Sequence, residues 1–468
     1  MALTKVSGEV ITRPLVLTGN ASVSGIMTVG IGSTTTTIDG SQDFPTIRPT
    51  LDLNFAATKT LDRRITFTRD SIGTYTDEFG IIQTVPNNVP RFDHDPITGE
   101  SLGLLIEESR TNLVTYSEDV SNAAWSKNNS SIQSNSIVSP FGDTTADKVF
   151  DDTTTGATHT ISLSFTKSAV FYTGSVYVKA GEYTKVALGF VGVSNWDGIP
   201  QALFDLSTEQ VTSVGSDATA NITPVGNGWY RCILTAESLN TTSSGLSIGI
   251  ISDSGTNVGG GDIFLGHDGD GSSGLYVWGA QVEAGSFPTS YIPTSGSTVT
   301  RATDVAKITG TNFTDFYNQS EGSVSVRFNA NGPSSASGFG RIYEISDGTT
   351  DNRYGVLLLG TSSSLYESFS IGGNGNVDFD EVSISFNSFY NHVSAFKLND
   401  YQRYINVNGN IEGLTDGLIA IDNFTPNILK LGGHINSSTA GILNGHISHL
   451  TYYNKRLTNS QLQSLTRQ

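Results

Sequence analysis

Phe171-Tyr172-Thr173-Gly174-Ser175-Val176-Tyr177-Val178-Lys179, Lys185-Val186-Ala187-Leu188-Gly189-Phe190, Gly228-Trp229-Tyr230-Arg231-Cys232-Ile233-Leu234-Thr235 and Leu275-Tyr276-Val277-Trp278-Gly279-Ala280-Gln281-Val282-Glu283 are short runs rich in aromatic and β-branched residues. Turns of Gly, Asn, Asp and Ser separate them. Strand-length apolar runs at such intervals predict an antiparallel β-sandwich or jelly roll over residues 121–300. Cys232 alternates with polar neighbours and reads as a buried strand position; Trp229 and Trp278 read as core.

The same logic extends both ways along the chain. Upstream, Pro49-Thr50-Leu51-Asp52-Leu53-Asn54-Phe55 and Ile65-Thr66-Phe67-Thr68-Arg69 alternate like strands. Gly73-Thr74-Tyr75-Thr76-Asp77 and Pro90-Arg91-Phe92-Asp93-His94-Asp95-Pro96 follow, then Leu102-Gly103-Leu104-Leu105-Ile106-Glu107-Glu108-Ser109-Arg110-Thr111-Asn112-Leu113. Downstream, a Pro-rich exit predicts a stiff linker near Thr294–Asp304. Gly322-Ser323-Val324-Ser325-Val326-Arg327-Phe328 then opens a second sandwich over 301–468, continued by Tyr390–Phe396, Tyr404–Gly409 and Leu443–Asn454. Thr458 and Gln461 form a capping box, with Leu457 and Leu462 as a hydrophobic staple, and predict a short closing helix. Residues 1–45 hold only short, small-residue β pieces, which need partner chains or a docking surface to be stable.

Several of these stretches resemble known families. Met1-Ala2-Leu3-Thr4-Lys5-Val6-Ser7-Gly8 with its Val/Gly/Thr-rich continuation resembles N-terminal anchors of marine phage fibre proteins. Leu53 to Ser117 resembles a linker motif of phage tail and head-spike proteins that precedes a carbohydrate-binding-like jelly roll. Trp278–Gly285 with Pro288–Thr294 resembles the end of that module, and the last 150 or so residues resemble concanavalin A-like domains of laminin G or pentraxin type. In that last comparison Tyr390 stands where a Trp is common, beside His392. The resemblance implies a virion anchor or oligomerisation segment at 1–45, a β-rich linker motif at 46–120, a jelly roll at 121–300 and a lectin-like sandwich at 301–468, in an all-β homotrimer exposed on the particle.

Composition fits this reading. Hydrophobic residues make up 37% and charged residues 15%, with 51 glycines. That is leaner than the ~45–50% apolar usage of an average globular protein and suits thin sandwiches. Phe 23, Tyr 17 and Trp 4 rule out a disordered chain. A net charge of −18 argues against a nucleic-acid partner, which needs Lys and Arg to displace counterions. The single cysteine excludes an intrachain disulfide, as expected of a chain assembled in a reducing cytosol. No apolar run approaches the ~18 residues of a membrane span, and the N-terminus lacks the apolar core of a signal peptide.

Candidate chemistry is sparse. Glycoside hydrolysis uses two carboxyls across a groove, but Glu107 and Glu108 are strand neighbours that point apart, and Asp378 with Asp380 fits a solvated loop. Asp93-His94-Asp95 lacks a second cluster. His446 and His449, three apart, would face opposite sides of a strand. Asp268-Gly269-Asp270-Gly271 resembles part of a calcium loop and could hold a structural ion, although a Gly/Asp turn without an ion accounts for it as well. Gly259-Gly260-Gly261 lacks the Lys-Ser/Thr of a phosphate loop. Trp196, flanked by Asn195 and Asp197 in a polar loop, is the candidate sugar platform, with capping of the sandwich end as the alternative. The expectation is a non-enzymatic virion fibre or spike that binds host-surface glycan and joins other virion proteins through its N-terminal segment. A purely structural head-fibre, capsid-decoration or tail-adaptor role and a polysaccharide depolymerase are the alternatives.

Overall fold

The computed structural model describes residues 26–31, 34–39, 47–253, 263–332, 339–359, 364–370, 376–378, 382–397, 400–407, 410–417, 425–435 and 441–466. Of the expected anchor, Ile26–Ile31 and Thr34–Asp39 pair as an antiparallel hairpin, and the rest lies outside the described residues, as do Gly259–Gly261 and Asp380.

The chain is all-β and builds two sandwiches. The jelly roll has two six-stranded sheets. One runs in the order Ser126–Asn128, His159–Lys167, Thr242–Ile251, Lys185–Phe190, Gln201–Asp205, Gln210–Val214; the other in the order Ser130–Ile137, Ala146–Asp151, Gly274–Ala284, Phe171–Ala180, Trp229–Glu237, Ala218–Pro224. Alternate side chains of both meet in one core. Ile161, Leu163, Leu188, Ile248 and Ile250 come from the first sheet and Val149, Val176, Cys232, Leu234 and Val277 from the second. Burial pushes the Cys232 thiol pKa up. Trp229 and Trp278 are buried too, but in a smaller cluster with Tyr177 and Tyr291.

The second sandwich does not follow the expected division of the chain. Its two eight-stranded sheets take strands from both sides of the jelly roll. Leu51–Asn54 and Ser101–Ile106 pair on either part of Gly445–Tyr453, and Thr66–Thr68 pairs with Val305–Thr309. Leu51, Leu53, Phe55, Phe67, Leu104 and Ile106 sit in the same core as Val326, Phe328, Ile342 and Leu450. The stretch expected as a β-rich linker motif is therefore part of the C-terminal sandwich, because its apolar residues complete a core that residues 301–468 leave open. The jelly roll is an insertion, and the chain enters and leaves it through a two-stranded ribbon in which Arg110–Asn112 pairs with Val299–Arg301. The expected stiff exit linker is part of that ribbon and of the joint below.

Buried charges hold the two sandwiches together at the ribbon. The Glu107 carboxylate accepts from Arg91 Nη1 at 2.7 Å and from Ser290 N and Oγ at 2.8 and 2.7 Å, and Arg301 Nη1 lies 3.0 Å away. Asp304 accepts from Arg69 at 3.1 Å, from the Glu107 backbone N–H at 3.0 Å and from Arg91 Nη2. Arg301 also donates to the Glu108 carbonyl, and Arg110 pairs with Glu108 at 2.5 Å while lying over the Phe287 ring. Gly285, at φ +144°, passes so close that a Cβ would sit 1.6 Å from Arg110 Nη1, so any side chain there would displace the guanidinium from its place over Phe287.

Two outcomes are expected. A chain starting at residue 121 loses six core side chains of the C-terminal sandwich worth ~1.5–3 kcal/mol each, together comparable to a typical ~5–15 kcal/mol of total stability; that sandwich should lose its cooperative thermal transition, whereas in a chain from 47 it should keep one. At the joint, burial alone would raise the Glu107 pKa, but Arg301, Arg91 and Ser290 outweigh it and hold the carboxyl well below its usual 4.5. A carboxyl depressed on folding contributes stability above its unfolded pKa and loses it as pH falls. Urea unfolding should therefore show stability declining below about pH 4.5, with a shallower acid limb in Glu107→Gln. That variant should cost about 3–5 kcal/mol at neutral pH, since it leaves buried guanidinium groups short of a counter-charge.

Candidate functional site

The residues singled out from sequence fall in several places. Trp196 follows the short 3₁₀ turn Val193–Asn195 and is 2% exposed. Its indole stacks on Phe190 (centroids 4.4 Å apart, planes at 8°), meets the edge of Tyr172 and lies 5.0 Å from Lys167 Nζ. Lys167 donates to the Asn195 carbonyl, Ser238 Oγ and Asn240, and this drags the loop inward over the sandwich end. Trp196 is thus a cap, with no face left for a sugar. Asn195 is half-buried and its Oδ1 accepts from Asn240, while Asp197 remains exposed. Replacing Trp196 with Ala should cost ~3–5 kcal/mol in thermal or urea unfolding while leaving ligand binding by the folded fraction unchanged.

Asp268 accepts from the Gly156 N–H at 2.7 Å, and Asp270 accepts from the backbone and hydroxyls of Ser272 and Ser273. Those hydrogen bonds, Ser273 first, pull the Asp270 pKa down. Asp268 ties its turn to the Gly156 loop and Asp270 holds its own turn, and among the described residues no group of three or more His, Cys, Asp or Glu is placed to hold a metal ion. In the Asp93-His94-Asp95 run, His94 Nδ1 contacts the Thr76 carbonyl and Asp95 caps Ile97 and Thr98. Tyr390 is buried near Phe328 and accepts from Ser385 N, a packing role.

The two C-terminal histidines correct the expectation of opposite faces. A register shift at Arg327/Phe328 pairs Arg327 with His449 but Asn329 with His446, so Ile447 and Leu450 both enter the core and both histidines lie on the outer face. Such a bulge inserts one residue and resets the alternation. Each histidine has its own carboxylate: His446 Nε2 is 2.9 Å from Asp93 and His449 Nε2 2.7 Å from Asp52.

That reset builds a site the sequence did not show. On the outer face, Asn391, Arg327, His449 and Asn54 stand opposite one another on four neighbouring strands, a row of roughly 14 Å at ~4.8 Å per strand. The adjacent part of the face is apolar and covered. Leu457, Leu462 and Leu465, in and before the helix Asn459–Leu465, pack on Val393, Ala395 and Tyr453. The capping box of that helix is present as expected, Thr458 N donating to Gln461 Oε1 and Gln461 N to Thr458 Oγ1. Where the helix ends, Asn391 Nδ2 donates to the Thr466 carbonyl and the polar row emerges as a trough of about 250 Å³, lined also by Glu100, Ser101, Ser325, Ser448 and Phe389. The Arg327 guanidinium lies 5.1 Å from the Phe389 ring centroid. An aromatic face beside a guanidinium, amides and hydroxyls can pack on the apolar side of a sugar ring and hydrogen-bond its hydroxyls. Among the described residues, Glu100 is the one carboxylate lining the trough, whereas glycoside hydrolysis commonly uses a pair. Carboxylates do gather in a wider depression of about 400 Å³ on the jelly roll, where Glu118, Asp119 and Asp147 share the lining; burial pushes Glu118 and Asp147 up.

The fold and trough define an all-β protein of two sandwiches. No protein-family model and no curated protein matches the chain. Among solved structures it is similar to the carbohydrate-binding module CBM40 of the Ruminococcus gnavus IT-sialidase bound to α2,3-sialyllactose (15% identity, TM-score 0.27, covering 32% of this chain and 83% of that one). It is also similar to the binding domain of botulinum neurotoxin DC in complex with rat synaptotagmin II (12%, TM-score 0.28, 36% and 40%) and to a heptameric SAP-like pentraxin from Limulus polyphemus (12%, TM-score 0.23, 31% and 68%).

Proposed function

We propose that the protein is a glycan-recognising fibre or spike component of a bacteriophage virion, and that the trough around Arg327 and Phe389 is its sugar-contacting surface. The trough carries the reading, because it sets aromatic, cationic, amide and hydroxyl groups along one open row. Support for the virion setting comes from the opening residues, the Leu53–Ser117 motif and the acidic, disulfide-free composition. The strand Leu51–Asn54 lies in the C-terminal sandwich, so in this reading the N-terminal segment anchors and trimerises the chain at that sandwich and the inserted jelly roll is carried by it. Weak single contacts would become useful through three or more copies per particle.

A structural role has one observation in its favour. Val170, Phe171, Val193 and Leu239 are 41–56% exposed on turns joined by the Ser238 N–H to Val170 and Leu239 N–H to Asn195 hydrogen bonds, an apolar end suited to another virion protein.

Beads displaying many copies of the full chain should bind intact bacterial host cells and their purified surface polysaccharide saturably. Arg327→Ala and Phe389→Ala should each weaken that binding at least tenfold, as loss of a charge-assisted contact worth ~1.5–3 kcal/mol implies, with little change in unfolding midpoint. Absence of binding on every host tested would remove the receptor reading in favour of the structural one. Release of reducing ends in the same tubes, abolished by Glu118→Gln, would establish the depolymerase instead.

A further inference from the structure

Between the two sandwiches lies a second cavity, of about 160 Å³, which the trough does not reach. From the C-terminal sandwich and its attached turns it is lined by Tyr75, Thr76, Asp93 and Asn331, and from the jelly roll by Tyr177 and Arg231. Tyr177 and Arg231 stand opposite each other on adjacent strands, with the guanidinium 5.5 Å from the ring centroid. They sit on the face of the sheet that the joint covers, not on the face that forms the jelly-roll core.

The hydrogen-bonding capacity left in this cavity is mostly that of donors. Asp93 already accepts from the Thr76 N–H at 2.6 Å and faces His446 Nε2 at 2.9 Å. Glu107, also in the lining, is engaged by Arg91, Arg301 and Ser290. By contrast, Tyr177 is 5% exposed, and among the described residues its hydroxyl has no hydrogen-bond partner. Nor does the Tyr75 hydroxyl. Arg231 uses Nε and Nη2 on Ser175 Oγ, at 3.3 and 2.9 Å, and among the described residues Nη1 has no hydrogen-bond acceptor. Tyr75 and Arg231 are half-buried, and all three donors line the cavity, so an occupant rich in acceptor oxygens can pair with them without breaking any hydrogen bond of the protein.

The cavity is well below the ~300–1,000 Å³ of pockets that enclose drug-sized ligands, so the occupant is a single small ring. We propose that this joint cavity is a second binding site, taking one carboxylate-bearing sugar residue. Its carboxylate pairs with Arg231 Nη1 and the Tyr177 hydroxyl, and its ring hydroxyls reach Tyr75, Asn331 and the remaining lone pairs of Asp93. The site exists only while both sandwiches are docked, since each contributes half of the lining. Occupancy therefore stabilises the joint, by mass action on the closed arrangement. Nothing in this depends on the trough.

Isothermal calorimetry and thermal unfolding of the full chain with glucuronate, glucose, acetate and inorganic phosphate test it. The expected result is saturable glucuronate binding that raises the unfolding midpoint, with glucose and acetate at least tenfold weaker. Tyr177→Phe, which keeps the ring and removes only the hydroxyl, and Arg231→Gln should each cut glucuronate affinity at least tenfold, and Arg327→Ala should leave it unchanged. No heat and no shift with glucuronate, or binding untouched by both cavity variants, overturns the site. Glucose binding as tightly overturns the carboxylate assignment, and phosphate or acetate binding as tightly overturns the sugar. Loss of cell binding in Arg327→Ala with glucuronate binding intact, or the reverse, separates this site from the trough.

Discussion

Everything about the arrangement of this protein turns on burying Glu107 and Asp304 among Arg69, Arg91 and Arg301. Five charged groups away from water form an expensive construction, and apolar residues of similar volume often serve stability as well or better. What an ion network adds is direction. Each guanidinium presents its donors in a fixed plane, so the network closes only when the 69–107 segment, the 289–304 segment and the ribbon between them are in one geometry. Arg91 alone reaches the Thr74 carbonyl, Glu107, Ser290 and Asp304. One side chain thereby joins the hairpin strand Gly73–Thr76, the end of the last sandwich strand before the insertion and the chain returning from the jelly roll.

This joint explains the insertion. A domain placed inside another needs entry and exit strands that lie together, and Arg110–Asn112 against Val299–Arg301 meets that need. Around it, hydroxyl and amide groups of the jelly-roll sheet are buried without loss: Thr173 bonds Thr235, Gln281 Oε1 accepts from Ile292 N, and Glu283 accepts from Thr289. The polar composition of the chain is used at this interface as well as at the surface, and the joint cavity is where polar groups of both sandwiches are left facing open space.

The trough has a different origin, in competition for one sheet face. The closing helix needs an apolar bed and takes Val393, Ala395 and Tyr453. One bulge shifts Gly445–Tyr453 so that His449 comes into line with Arg327 instead of facing the core. A covered apolar half and an open polar half result, and the boundary between them is the wall of the site. The donors stand on neighbouring paired strands, so a ligand bound there would meet groups that the sheet already holds in a row.

Much of this was legible in the residues. Period-two alternation marked the strands around Val176, Cys232 and Val326, and the Thr458 and Gln461 spacing marked the helix, because both signals are local and depend only on which neighbours share a face. The sequence by itself determined an all-β chain with these strands, a buried Cys232 and a net charge of −18. Trp196 was misplaced because a polar loop looks the same whether it projects or folds back, and only Lys167, reaching across to Ser238 and Asn240, decides. The 46–120 stretch reads as a linker because alternation says that a segment is a strand but not which strand it pairs with. That choice, the bulge that turns His449 outward, and the meeting of Tyr177 with Tyr75 belong to the tertiary structure alone: they depend on register and docking between residues hundreds of positions apart, where chain order carries no distance information.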